Sequence, residues 1–119
     1  MKATIYGEYR EISFNPLNIN FIIVNGIECI TCFQGGEKIS LSYSGLRQTL
    51  LKKFKRVYSY EFNLPVYINP RNIAFYKDCD LGYITLNGQI AFNDGSILKG
   101  LSGADLIKMT SEIDNTFGL

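Results

Sequence analysis

Six basic residues lie between Lys38 and Arg56, and no acidic residue interrupts them. Clustered Lys and Arg bind phosphate backbones through counterion release, and Arg also contacts base edges or the minor groove. Aromatic residues accompany the stretch, and Arg71 adds a cation in the second half of the chain. We expect Arg47 and Arg71 to contact bases or the minor groove. The phosphate contacts are expected from Lys52, Lys53, Lys55 and Arg56. The candidate nucleic-acid-binding residues are Lys38, Tyr43, Arg47, Lys52, Lys53, Lys55, Arg56 and Arg71.

The net charge of the whole chain does not reveal this basic stretch. The 119 residues carry a formal net charge of +1, which by itself argues against a nucleic-acid-binding protein. Residues 38–56 nevertheless carry +6, and the remainder of the chain carries −5. The alternative to nucleic-acid binding is that this stretch forms a solvated helix face that maintains solubility.

Other chemistry has little support in the sequence. The absence of His removes the commonest general base, the usual nucleophile triads and most zinc sites. The Cys29-Ile30-Thr31-Cys32 segment is a C-x-x-C motif, but it lies in a predicted strand, where alternate side chains point to opposite faces. We interpret both thiols as buried apolar side chains. The acids Asp78, Asp80 and Asp94 do not pair on one face of an element. The sequence therefore predicts no catalytic residue, cofactor or metal, and no enzyme.

The first residues contain no apolar targeting segment, and no apolar run approaches the ~18 residues of a membrane span. Three Cys residues without an export signal are typical of reduced thiols in a cytoplasm. We therefore expect a cytoplasmic protein that does not bind membranes.

An internal repeat organises the chain. Residues 15–21 read N-P-x-N-I-x-F, and residues 69–75 read the same letters 54 positions later. Matching Ile-Thr pairs, Gly turns and Ser-Gly segments follow in both halves. We predict a single domain, 1–119, that contains a first repeat over about 9–56 and a second over about 64–114.

Each repeat reads as strands, an Asn-Pro turn, Gly turns and a closing helix. The predicted strands are 9–14, 19–24, 28–33, 38–43, 65–68, 72–77, 82–86, 89–92 and 96–98. A helix over 44–56 would bury Leu46, Leu50 and Phe54 and expose the basic residues. A helix over 102–114 would be capped by Ser102. The fold class is α+β with mostly antiparallel strands, as two β-rich repeats that each end in a short helix packed on the sheet.

Four short motifs resemble the competence transcription factors (ComK). Ser42-Tyr43-Ser44-Gly45-Leu46-Arg47 is similar to that family's S-Y-x-G-R segment. Residues 65–76 resemble its P-I-x-I-[ND]-P…I-x-F-F-P-T block, without the Pro that follows the aromatic pair. Cys79 with Gly82-Tyr83-Ile84 resembles C-x-W-I, and Phe92-Asn93-Asp94-Gly95 resembles F-x-N-G. The four motifs keep their order over about residues 39–110.

A second resemblance is to LytTR DNA-binding domains, which also consist of two successive β-rich units. Residues 66–73 resemble the end of their H-R-S-Y-[IV]-[VI]-N-x-x-x-I motif, and Asn63-Leu64-Pro65 stands where that motif has His-Arg-Ser. Both resemblances imply a β-rich regulator that binds duplex DNA, often at AT-rich or repeated sites.

The sequence thus predicts a double-stranded DNA-binding transcription regulator that uses the basic helix face of the first repeat. It would be a monomer with pseudo-two-fold repeats or a homodimer. The alternative is a small interaction module or inhibitor, such as a phage- or plasmid-encoded one, that binds an acidic protein partner through a strand edge or the basic helix.

Overall fold

The structure is a computed structural model that describes residues 1–46, 48–77 and 88–116. Within these residues it contains ten strands and two α-helices. The strands are β1 (Lys2–Thr4), β2 (Glu11–Ser13), β3 (Ile19–Asn25), β4 (Glu28–Phe33), β5 (Lys38–Ser42), β6 (Lys55–Ser59), β7 (Leu64–Ile68), β8 (Ile73–Lys77), β9 (Gly88–Phe92) and β10 (Ile97–Leu101). The helices are α1 (Gln48–Lys53) and α2 (Gly103–Thr116).

Eight strands form one sheet in the order β5-β4-β3-β7-β6-β10-β9-β8, and β1 pairs with β2 in a separate two-stranded sheet. Every strand pair is antiparallel. An isolated bridge from Ile5 to Leu41 links the small sheet to β5. The predicted α+β class with mostly antiparallel strands is confirmed. The strand order is not palindromic, as a pseudo-two-fold axis would make it, so the predicted pseudo-two-fold arrangement of the repeats is not confirmed.

Two core clusters lie on opposite faces of β3 and β4. One contains Ile22 and Cys29 with the apolar face of α1, and the other contains Phe21 and Cys32 with the apolar face of α2. Alternation along the strands sends neighbouring side chains to opposite clusters. The interpretation of the C-x-x-C thiols as buried side chains on opposite faces is confirmed.

The two Asn-Pro segments form matching 310 turns. In the first, Asn15 Oδ1 accepts a hydrogen bond from Leu17 N, and in the second, Asn69 Oδ1 accepts one from Arg71 N. Pro in the first turn costs nothing there, because that N–H would be unpaired anyway. Both turns lead directly into strands, β3 and β8.

The predicted helix over 44–56 is too long. Tyr43–Gly45 is a 310 turn, α1 ends at Lys53, and residues from Lys55 onward form β6. Leu46, Leu50 and Phe54 are buried as predicted. The chain leaves the helix because Val57 is fully buried opposite Val66 in the sheet, and β-branched and aromatic residues favour strands.

The second helix agrees more closely with its prediction. Ser102 Oγ accepts a hydrogen bond from Asp105 N at 3.3 Å, as a capping residue does. Leu106 and Met109 are buried, and Asp105 Oδ2 accepts a 2.8 Å hydrogen bond from Tyr58 N on β6. That bond ties the first turn of α2 to the middle of the sheet.

The other predicted strands are found with small shifts at their ends, and β1 and β6 are additional. The predicted strand over 82–86 lies outside the described residues. In the described part of the chain, neither helix is both long and apolar enough to cross a bilayer.

Candidate nucleic-acid interface

The exposed side of α1 carries the clearest positive charge. Lys52 and Lys53 are exposed, and they follow directly after the buried Leu50 and Leu51. The apolar face therefore fixes which way the two ammonium groups point. No ion pair of either lysine is found within the described ranges.

A groove separates α1 from the two Asn-Pro turns. It encloses about 210 Å³ and is lined by Lys53 on one side and by Pro16, Pro70 and the exposed Arg71 on the other. The sheet brings Lys53 and Arg71 to the same groove although 18 positions separate them in the sequence. Leu17, which is 54 positions before Arg71, also lines this groove and is half exposed.

A second pocket of about 250 Å³ lies on the other side of α1. Its lining contains Tyr43, Leu51, Lys52 and Tyr67. Tyr67 is not among the predicted residues, although its place within the repeated strand before the Asn-Pro turn is a usable signal. We call Tyr43, Lys52, Lys53, Tyr67 and Arg71 together the α1 surface.

Lys55 and Arg56 do not extend the helix face, which corrects the prediction for them. Both are on β6, and Lys55 Nζ lies 2.8 Å from Glu112 Oε2 of α2. The hydrogen bond and charge of Lys55 lower the pKa of the Glu112 carboxyl below its ordinary value. Lys55 and Arg56 also line a pocket that contains Asp105 and Glu112. Their positive charge is therefore partly offset by acids.

The remaining two candidates do not join the α1 surface. Lys38 is exposed at the start of β5, opposite Cys32 in the β4–β5 register. No described contact connects it to α1. Arg47 lies outside the described residues.

Metal or thiol chemistry finds no support in the described part of the chain. No group of three or more His, Cys, Asp or Glu residues is placed there to hold a metal ion. Burial raises the pKa of both Cys29 and Cys32 to about 11, so neither is a thiolate near neutral pH. Cys79 lies outside the described residues.

Comparison with protein-family models, with curated proteins and with solved structures gives no match to this chain.

Proposed function

We propose that this protein binds double-stranded DNA through the α1 surface and regulates transcription. The observation that supports the proposal most is the meeting of Lys52, Lys53 and Arg71 around one helix, in grooves that also hold Tyr43 and Tyr67. Cations around a groove suit a phosphate backbone, and the tyrosine hydroxyls can donate to phosphate oxygens. The ComK and LytTR resemblances point to the same class of ligand.

The predicted footprint is smaller than the sequence implied. Lys52, Lys53 and Arg71 would contact phosphates or the minor groove, whereas Lys55 is held by Glu112. Three neutralised phosphates give a slope of about −2.7 for log K against log salt. We therefore expect weak, salt-sensitive binding by one chain and tighter binding to sites where several chains bind side by side.

Fluorescence anisotropy with a labelled duplex at ~50 mM salt tests this proposal. The double variant Lys52→Glu/Lys53→Glu should lose binding. The matched control Lys99→Glu/Lys108→Glu makes the same charge change at two exposed lysines elsewhere and should bind nearly as well as wild type. Equal losses in both variants would mean that only total charge matters, and no binding to mixed or AT-rich duplexes would contradict the proposal.

A second candidate function is interaction with an acidic protein partner. The observation that favours it is the outer edge of β8, where Phe75 is 58% exposed and no neighbouring strand is found among the described residues. Competition locates such a partner: excess duplex DNA should displace a partner bound at the α1 surface and should not displace one bound at the β8 edge.

We also propose that the chain is an internal duplication whose units are 1–54 and 55–116, rather than 9–56 and 64–114. The β1–β2 register supports it, because adding 54 to both members of each pair gives a pair of the β6–β7 register; Ala3 with Ile12 becomes Val57 with Val66. The β4–β5 and β9–β10 hairpins have the same bonds: Gly36 N donates to Phe33 O, and Gly95 N donates to Phe92 O. The bridge of Ile5 to Leu41 likewise matches that of Ser59 to Leu101.

The duplicated units would follow one another head to tail. In each, the order of neighbours is the same: β2-β1-β5-β4-β3 in the first and β7-β6-β10-β9-β8 in the second. The units meet where β3 pairs with β7. A soluble protein of 54 residues would bury little surface, and joining two units provides a larger common core.

A further inference from the structure

Among the described residues, no strand pairs with the outer edge of β8, the last strand of the sheet. β9 is its one strand neighbour among the described residues. Phe75, in the middle of β8, is 58% exposed. Open strand edges with exposed apolar side chains are templates for the addition of another strand.

The same molecule contains a filled version of this edge. β3 holds in the first unit the place that β8 holds in the second, and its outer edge is covered by β7. Phe21, 54 positions before Phe75, is 8% exposed there and stacks on Phe92 with ring centroids 5.6 Å apart. Where a strand covers this edge, as β7 covers β3, the Phe at this position is therefore buried.

β2, the strand equivalent to β7, also has an unpaired edge among the described residues. β2 pairs with β1 as β7 pairs with β6, but β7 has a second partner, β3, and β2 has none within the described residues. The two strands are followed by the same Asn-Pro turn. Among the described residues, the two unpaired strand edges belong to β2 and β8. Their equivalents in the other unit, β7 and β3, pair with each other in the middle of the sheet.

The Asn side chains of these turns show the same difference. The amide of Asn69 donates to Ile19 O, and that of Asn72 donates to Leu17 O and Ile19 O; both residues are buried. Their counterparts Asn15 and Asn18 are exposed. In the described chain no acceptor for their side-chain N–H groups is present, although Asn15 keeps the bond to Leu17 N.

We propose that copies of this chain associate head to tail, with β2 of one copy added to the β8 edge of the next. The proposal rests on the proposed duplication, because the β3–β7 register supplies its geometry. Phe21 opposite Ile68 and Ile22 opposite Tyr67 translate into Phe75 opposite Phe14 and Tyr76 opposite Ser13 of the neighbouring copy. The amides of Asn15 and Asn18 then meet the carbonyl of Ile73, as those of Asn69 and Asn72 meet Ile19 O.

This contact is heterologous, so its assembly continues beyond a dimer unless it closes into a ring. It is also weaker than the junction inside the chain. β2 presents Glu11 and Ser13 where β7 presents Pro65 and Tyr67, and it therefore buries less apolar surface. Association should accordingly depend on concentration, within the range of weak interfaces.

A disulfide trap tests the register. Ser13→Cys and Tyr76→Cys are made as separate proteins, both in a Cys79→Ser background, and mixed with oxidised glutathione, which accepts the two electrons and two protons of the thiols. Directly opposite residues on antiparallel strands bring their Cβ atoms about 4.5–5.5 Å apart, which suits a disulfide. We expect a cross-linked pair in the mixture alone. Mixing Ser13→Cys with Ile107→Cys, whose site on α2 is more exposed to solvent than Tyr76, should give none.

Two other results would overturn the proposal. Cross-linking of Tyr76→Cys with itself would mean a symmetric β8–β8 dimer. A protein that sediments as a monomer up to ~1 mM, a concentration at which weak interfaces populate complexes, would mean that β8 serves a different partner or none.

Sedimentation with edge variants adds a second readout. Phe75→Lys should weaken association at least about tenfold, since a Lys on a strand edge opposes strand addition. Ile107→Lys, a change at an equally exposed apolar residue on α2, should leave it unchanged. Both measurements are made without DNA, so a monomeric result would leave the DNA-binding measurement unaffected.

Discussion

The two Asn-Pro segments have nearly the same sequence and the same turn, but opposite environments. In the first, Phe21 is buried and Asn15 and Asn18 are exposed; in the second, Asn69 and Asn72 are buried and Phe75 is exposed. The junction in the middle of the molecule uses the Phe of one segment and the Asn pair of the other. Both segments contain the Phe and the Asn pair that form this junction. Their position in the chain decides whether the Phe or the Asn pair is used.

The largest expected effect separates the two Phe residues. Phe21→Ala should lower the free energy of unfolding by about 3–5 kcal/mol, because it leaves a cavity beside Phe92. Phe75→Ala should change the free energy by less than about 0.5 kcal/mol. Urea unfolding followed by circular dichroism at low protein concentration measures both. Similar losses would show that Phe75 is buried in solution.

The next effect separates the Asn residues. Asn72→Ala should lower the free energy of unfolding by about 1–3 kcal/mol, because the partly buried Leu17 carbonyl and the buried Ile19 carbonyl each lose a donor. Asn18→Ala removes no hydrogen bond recorded in the described chain and should have an effect below about 0.5 kcal/mol. The same unfolding experiment serves, and the comparison fails if Asn18→Ala is as costly as Asn72→Ala.

The smallest effect concerns Asp94, whose counterpart in the proposed duplication is Gly35. Asp94 Oδ2 accepts a 2.7 Å bond from Gly35 N, and Oδ1 accepts bonds from Ser96 and from the Asn20 side chain. Burial raises the pKa of this carboxyl, but the hydrogen bonds outweigh it, so the pKa lies below the ordinary value of 3.8.

The sign of the pH effect follows from that lowered pKa. The carboxylate contributes stability above its unfolded-state pKa and loses it as the pH falls through the lower folded-state value. Wild type should therefore be more stable than Asp94→Asn at pH ~6, and the difference should shrink below pH ~4. Thermal unfolding of both proteins across this range measures it. A difference in stability that does not depend on pH would contradict the lowered pKa, because folding would then leave the proton affinity of Asp94 unchanged.

Much of the fold could be predicted because its signals are local. Apolar stretches between turn residues located β3 and β4, Asn-Pro and Gly pairs located the turns, and Ser102 located the start of α2. The end of α1 could not be predicted, since the Leu46, Leu50 and Phe54 spacing continues the helical pattern up to β6. Only the pairing of Val57 with Val66, a contact between distant segments, decides that β6 is a strand.

The candidate site was predicted in part for the same reason. Lys52 and Lys53 follow from the apolar spacing of α1 alone. The proximity of Arg71 and Tyr67 to that helix depends on the β3–β7 and β6–β7 pairings, which no local pattern reveals. The ion pair of Lys55 with Glu112 depends on the packing of α2 against β6. Charge counting along the chain therefore overestimated the basic surface.

The two thiols of β4 have a practical consequence. Cys29 and Cys32 are protected by different core clusters, and each can react with a thiol reagent only when its own cluster opens. Residue-resolved labelling rates at the two thiols would thus follow the opening of the two core clusters separately in one unmodified molecule. Equal rates would identify a single cooperative unit, and a faster rate at one thiol would identify the cluster that opens first.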